Sequence, residues 1–147
     1  MSQNFADLGQ KLNLVGGGAG SGNLINGTYQ PGATFYADAA QQLDVALVLT
    51  FDAATVLTDI RVKLQGRHAS WPAGVWQDIP TTKGSTQASP PVAEQVFTAS
   101  AGATIVDSLQ CLSGQHKFYS GGFQIVAKAT AAATKPGDTV AGEIMAW

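Results

Sequence analysis

Two runs of strict alternation within residues 43–67, LDVALVLTFDAATVLTDIRVKLQGR, constrain this chain more than any other feature. In the first, Val45, Leu47, Leu49 and Phe51 share one parity. In the second, Ile60, Val62 and Leu64 alternate with Arg61, Lys63 and Gln65. A helix would scatter those three polar residues around its circumference, whereas a half-buried strand puts all of them in water. The pattern predicts two strands joined by a short turn, each with one face in a core.

What surrounds those two runs is sparsely charged. The 147 residues are enough for one domain with a sizeable core. Only 12% of them are charged, about half the ordinary share of roughly 25%. Two explanations stand: a polar but neutral exterior, or a surface that faces protein, since interface cores are depleted in charge. The net charge is −2 and no basic run exists, which argues against a nucleic-acid surface. The single cysteine, Cys111, lies in the apolar run IVDSLQCLS and reads as a small buried hydrophobe in a reducing compartment. Residues 1–15 lack the basic and apolar regions of a signal peptide, and no run approaches the roughly 20 apolar residues of a membrane helix.

Residues 1–23 separate from the body at 24–147. Phe5, Leu8 and Leu12 have helix-like spacing, with Ser2 as a cap, and form a short segment that needs something to pack on. A loose terminus, an arm docked on a neighbouring subunit and a lid over the body are the three readings. VGGGAGSGN, residues 15–23, lacks both the dinucleotide fingerprint and the P-loop Lys-Ser or Lys-Thr, so it reads as a linker. Short strand candidates follow at 24–30, 33–38, 44–51, 56–67, 74–79, 93–99, 103–112, 117–129 and 138–146, broken by Gly, Pro, Asp and Asn. Residues 81–92, containing Lys83 and the pair Pro90-Pro91, read as a long exposed contact loop. Gly121-Gly122 reads as a bulge or tight turn. The predicted fold is all-β: an antiparallel, jelly-roll-like β-sandwich with a short N-terminal arm.

Catalytic groups are scarce. His68 and His116 are expected in exposed positions, with no HxH, HxxxH or CxxC spacing, so neither a metal site nor a cofactor is predicted. No G-x-S-x-G elbow is present, and the acids of the body fall at strand ends and turns, where Asp shapes the backbone. The chain is therefore read as a non-enzyme. Its most distinctive segment is RHASWPAGVWQDIP, residues 67–80, where Trp71 and Trp76 stand near Arg67 and His68. Such tryptophans pack a core or loop, contact protein, or stack on sugars. All three readings remain open at this stage.

Two resemblances follow. DIRVKLQGRHASWPAGVWQDIP resembles the strand–loop–strand of jelly-roll sugar-binding modules, with Ile60, Val62, Gly66, Trp76 and Ile79 at the framework places. The whole chain, with its short arm, Gly-rich linker, sparsely charged β-domain and apolar final strand TVAGEIMAW, resembles the head decoration (cement) proteins of tailed bacteriophages. That second resemblance implies a homotrimer on the outside of a capsid, bridging major capsid proteins after assembly in the host cytoplasm. Under it Phe5, Leu8 and Leu12 of the arm, Lys83 of the 81–92 loop, and Arg67, His68, Trp71 and Trp76 are the contact candidates. The first resemblance implies instead a carbohydrate-binding module or tail-associated adhesin that holds a glycan with the Trp loop. Neither implies a nucleic-acid or membrane partner.

Overall fold

The computed structural model describes residues 10–15, 27–32, 34–37 and 42–146, with side chains left undescribed in 10–15 and 143–146. The strands are β1 (Gln10–Val15), β2 (Gln30–Pro31), β3 (Leu43–Thr50), β4 (Asp59–Gly66), β5 (Gln77–Ile79), β6 (Thr81–Lys83), β7 (Gln95–Thr98), β8 (Thr104–Cys111), β9 (Phe123–Thr130) and β10 (Thr139–Ala146). They form two antiparallel sheets. The first has the order β1-β10-β3-β8-β6; the second runs β2-β9-β4-β5, with β7 also paired to β4.

The connectivity is that of a chain folded back on itself and rolled. β1 pairs β10, β2 pairs β9, β3 pairs β8 and β4 pairs β7, each antiparallel. Such nested pairing, with alternate pairs in opposite sheets, is a jelly roll. β5 and β6 sit at the tip of the nested hairpin. β5 takes the half of β4 that β7 leaves, with Leu64 opposite Ile79. Pro80, which has no N–H to give a ladder, then lies between it and β6, which joins the other sheet beside β8.

The alternation read from residues 43–67 is realised on both strands. Leu43, Val45, Leu47 and Leu49 of β3 are buried, and so are Ile60, Val62 and Leu64 of β4. They meet Ile79, Phe97, Leu109, Phe123, Ile125, Ala127 and Ala129 in one core between the sheets. At one end of the sandwich two turns hold each other through carboxylates. Asp138 Oδ1 accepts from Asp52 N at 2.9 Å, while Asp52 Oδ2 accepts from Gly137 N at 3.0 Å.

Three expectations need amendment. Residues 10–15, assigned to the arm and linker, are a strand in register with β10, Leu12 lying opposite Gly142. In sequence Leu12 and Leu14 alternate with Lys11 and Asn13, a period-2 signal overshadowed by the helical spacing from Phe5. Phe5, Leu8 and residues 16–23 of the linker lie outside the described residues. Residues 81–92 are not one exposed loop. Thr81 is 1% exposed in β6 and residues 82–84 are half-buried, whereas residues 85–92, from the 3-10 turn Gly84–Thr86 through Pro90 and Pro91, are exposed. The candidate at 117–129 divides, with a 3-10 turn over Gln115–Phe118 and β9 starting at Phe123.

Candidate functional site

The two outer faces of the sandwich differ in charge. On the second sheet Arg61 bridges Asp59 and Glu94 at 3.1 Å each, and Lys63 meets Asp78 at 3.0 Å. The Tyr29 ring lies 4.7 Å from the Nζ of both Lys63 and Lys128, and its hydroxyl donates to Glu94. Burial and that carboxylate push the Tyr29 hydroxyl well above the usual phenol range. Burial raises Asp78, but hydrogen bonds from Gln65 and Lys63 outweigh it and leave the carboxyl below its usual value.

The first sheet is built differently. Register places Ala141, Val48 and Val106 in one row across β10, β3 and β8, with Thr139, Thr50 and Thr104 in the next. Ala46 and Ser108 continue the uncharged area on the other side, up to the register pair Lys11–Glu143 and to Asp44 at the strand end. Val106 is 74% exposed and Val48 40%. Paired β-branched aliphatics in the middle of an exposed sheet face are what a covered sheet presents.

At the end of the sandwich remote from Asp52 and Asp138, the loop from β4 to β5 meets the loop from β8 to β9. Arg67 fastens them: its N donates to Gly122 O at 3.1 Å and its carbonyl accepts from Gly121 N at 2.8 Å. A side chain on Gly121 would fall 2.9 Å from that carbonyl, which explains the first glycine of the pair. The Arg67 guanidinium turns back into its own loop, Nη2 donating to Trp71 O at 2.7 Å and Pro72 O at 3.2 Å. Its Cζ stands 6.0 Å from the centre of the Trp76 ring. Arg67 is thus a brace for the loop.

Aromatic rings run from the core out to this surface. Phe35 stacks on Phe123 at 5.6 Å, Phe123 meets Tyr119 edge-on at 6.0 Å, and Tyr119 meets both Trp71 and Phe118, at 6.4 and 5.2 Å. His68 completes the cluster, 5.2 Å from Phe118 and 6.4 Å from Trp71. Tyr119 is 5% exposed and Phe118 54%. Phe118 ends the 3-10 turn and Tyr119 follows it as the chain turns inward, where Gly66 supplies the space that admits the Tyr119 ring.

Of the contact candidates, this end brings together Arg67, His68, Trp71 and Trp76. Trp71 packs against the core and Trp76 is half-buried under Arg67, so neither indole is a bare platform. Lys83 lies elsewhere. Its Nζ donates to Val96 O at 2.5 Å and sits 4.3 Å from the Phe97 ring, so it closes the edge between β6 and β7. His116, expected in an exposed turn, is fully buried because the 3-10 turn rotates it beneath the loop. Phe118 escaped sequence analysis as a surface residue; the adjacent pair Phe118-Tyr119 ahead of two glycines was its signal.

Reactive chemistry is limited. The Ser70 hydroxyl lies 2.8 Å from His68 Nδ1, and Ser70 N donates to the same nitrogen at 3.1 Å, which is a local turn rather than a nucleophile held by a base. Burial, with Asp44 nearby, pushes the Cys111 thiol up to about 12, far from a reactive thiolate. Among the described residues no three His, Cys, Asp or Glu side chains gather as metal ligands. Comparison with protein-family models, curated proteins and solved structures gives no match.

Proposed function

We propose that this chain is a non-catalytic structural protein that works by covering other protein, in the manner of a tailed-phage head decoration protein. The observation that carries the reading is the uncharged centre of the first sheet's outer face, with Val106 and Val48 exposed there. Bare aliphatic area of that kind is a cost to a solitary soluble domain and an asset to one that associates. Under this reading the face packs against neighbouring copies in a homotrimer on the outside of a capsid. Each copy makes a modest contact with the major capsid protein, and trimerisation multiplies it through effective concentration.

The carbohydrate reading has less support. A sugar platform needs an open ring face, and Trp71 is engaged by Tyr119, Phe118 and the core while Arg67 stands over Trp76. The test is a pair of measurements on the intact chain. Light scattering should return three times the 15.1 kDa chain mass, and the protein should co-sediment with phage heads stripped of their own decoration. A monomer that stays in the supernatant at high concentration removes the reading. Binding that survives removal of residues 1–9 removes Phe5 and Leu8 from the contact.

A further inference from the structure

The two loops at the aromatic end hold basic side chains and no acid. Residues 67–76 include Arg67 and His68, residues 112–120 include His116 and Lys117, and neither stretch has an Asp or a Glu. Arg67 is taken up in bracing its loop and His116 is buried. Lys117 is exposed and, among the described residues, belongs to no ion pair. His68 receives both Ser70 hydrogen bonds on Nδ1, so the ring proton of the neutral form sits on Nε2 and makes that edge a donor. Beside these two donors stands Phe118, more than half exposed yet held from behind by Tyr119 and Trp71. An aromatic side chain already fixed in place loses little freedom when something binds it.

We infer that this end of the sandwich docks an acidic protein segment, an apolar side chain of the partner lying on Phe118 while carboxylates meet Lys117 Nζ and His68 Nε2. The inference rests on the reading of the chain as protein-binding and narrows it to one surface and one class of partner. Charge complementarity selects the acid. Leu112, 54% exposed on the same loop as Phe118, favours protein over an acidic sugar, because an exposed aliphatic side chain adds to a protein interface and gives a sugar ring nothing to stack on.

The experiment is an amide-shift titration of the intact labelled chain with three probes. They are the peptide acetyl-Glu-Phe-Glu-Leu-Glu-amide, its lysine counterpart and a tetragalacturonate. The acidic peptide should shift the Trp71 indole N–H and the amides of residues 116–120, and the lysine peptide should not. Lys117→Glu and Phe118→Ser should each weaken the response by about tenfold or more, Lys117→Glu with no loss of melting temperature and Phe118→Ser with a small one from its ring contacts with Trp71 and Tyr119. No shift at millimolar peptide, an equal response to the lysine peptide, or a response to the uronate alone each overturns the inference. Peptide shifts in a chain that ignores phage heads keep the docking surface and discard the capsid assignment. Heads bound equally well by Phe118→Ser keep the assignment and discard the docking surface.

Discussion

Gly66 does two jobs that only a residue without a side chain can do together: it ends β4 and leaves room for the Tyr119 ring. A Cβ at this position would stand 2.6 Å from Tyr119 Cγ and 2.9 Å from Ile79 Cδ1. Both neighbours are buried, so neither swings away into solvent. Gly66→Ala should therefore destabilise the domain by about 1–3 kcal/mol, the usual range for overpacking, and show as a lowered urea midpoint. It should also disturb the ring contacts of Trp71, which rests on Tyr119, so the near-ultraviolet dichroism should change before unfolding begins. An unaltered midpoint would mean that the aromatic column has slack that these contacts deny.

Among the elements, β4 was legible because its period is unbroken and its outer residues are charged; β3 was legible for the same inner parity. β6 was not. Thr81–Lys83 is too short to have a period, and its place in the sheet comes from β8, whose partner Cys111 is thirty residues away in the chain. β1 was hidden by the helical spacing that runs from Phe5 and Leu8 to Leu12, and His116 by a turn whose orientation depends on loops met only in three dimensions. The Asp52–Asp138 latch was legible only as two turn acids, because its hydrogen bonds join positions 86 apart. Backbone N–H groups of Ala54 and Gly137, and then Lys135, hold the Asp52 carboxyl below its usual range despite a small opposing desolvation. A depressed folded-state value means that the contribution to stability is complete at neutral pH and declines as pH falls below the ordinary 3.8 toward the folded value. Asp52→Asn should flatten that acid limb of the stability profile while leaving the limb above pH 6 parallel to wild type. Urea midpoints collected from pH 2.5 to 7 would check it, and an unchanged acid limb would remove Asp52 from the account.

At the scale of the molecule, what needs explaining is that the ion pairs among the described residues gather on one sheet and leave the centre of the other sheet's outer face uncharged. The ion pairs of Asp59, Arg61, Glu94, Lys63 and Asp78 all lie on the second sheet, while the centre of the first sheet's outer face is threonine, alanine and valine. A monomer gains nothing from that division; a protein that buries one face and wets the other does. Val106 is the decisive position because it is 74% exposed, so a lysine there meets no internal obstacle. In a monomer Val106→Lys should be neutral, within about 0.5 kcal/mol as for ordinary surface changes. In an assembly that covers the face, three copies of an unpaired ammonium enter a desolvated contact, and the cost appears in association rather than in folding. The expected outcome is a melting temperature near wild type at low protein concentration, together with a fall in solution mass to that of the single chain. Thr98→Lys, placed on the outer face of the second sheet beside Asp59, is the control and should leave the mass unchanged. If both variants assemble equally well, the uncharged face is not the contact, and its exposed valines need another explanation.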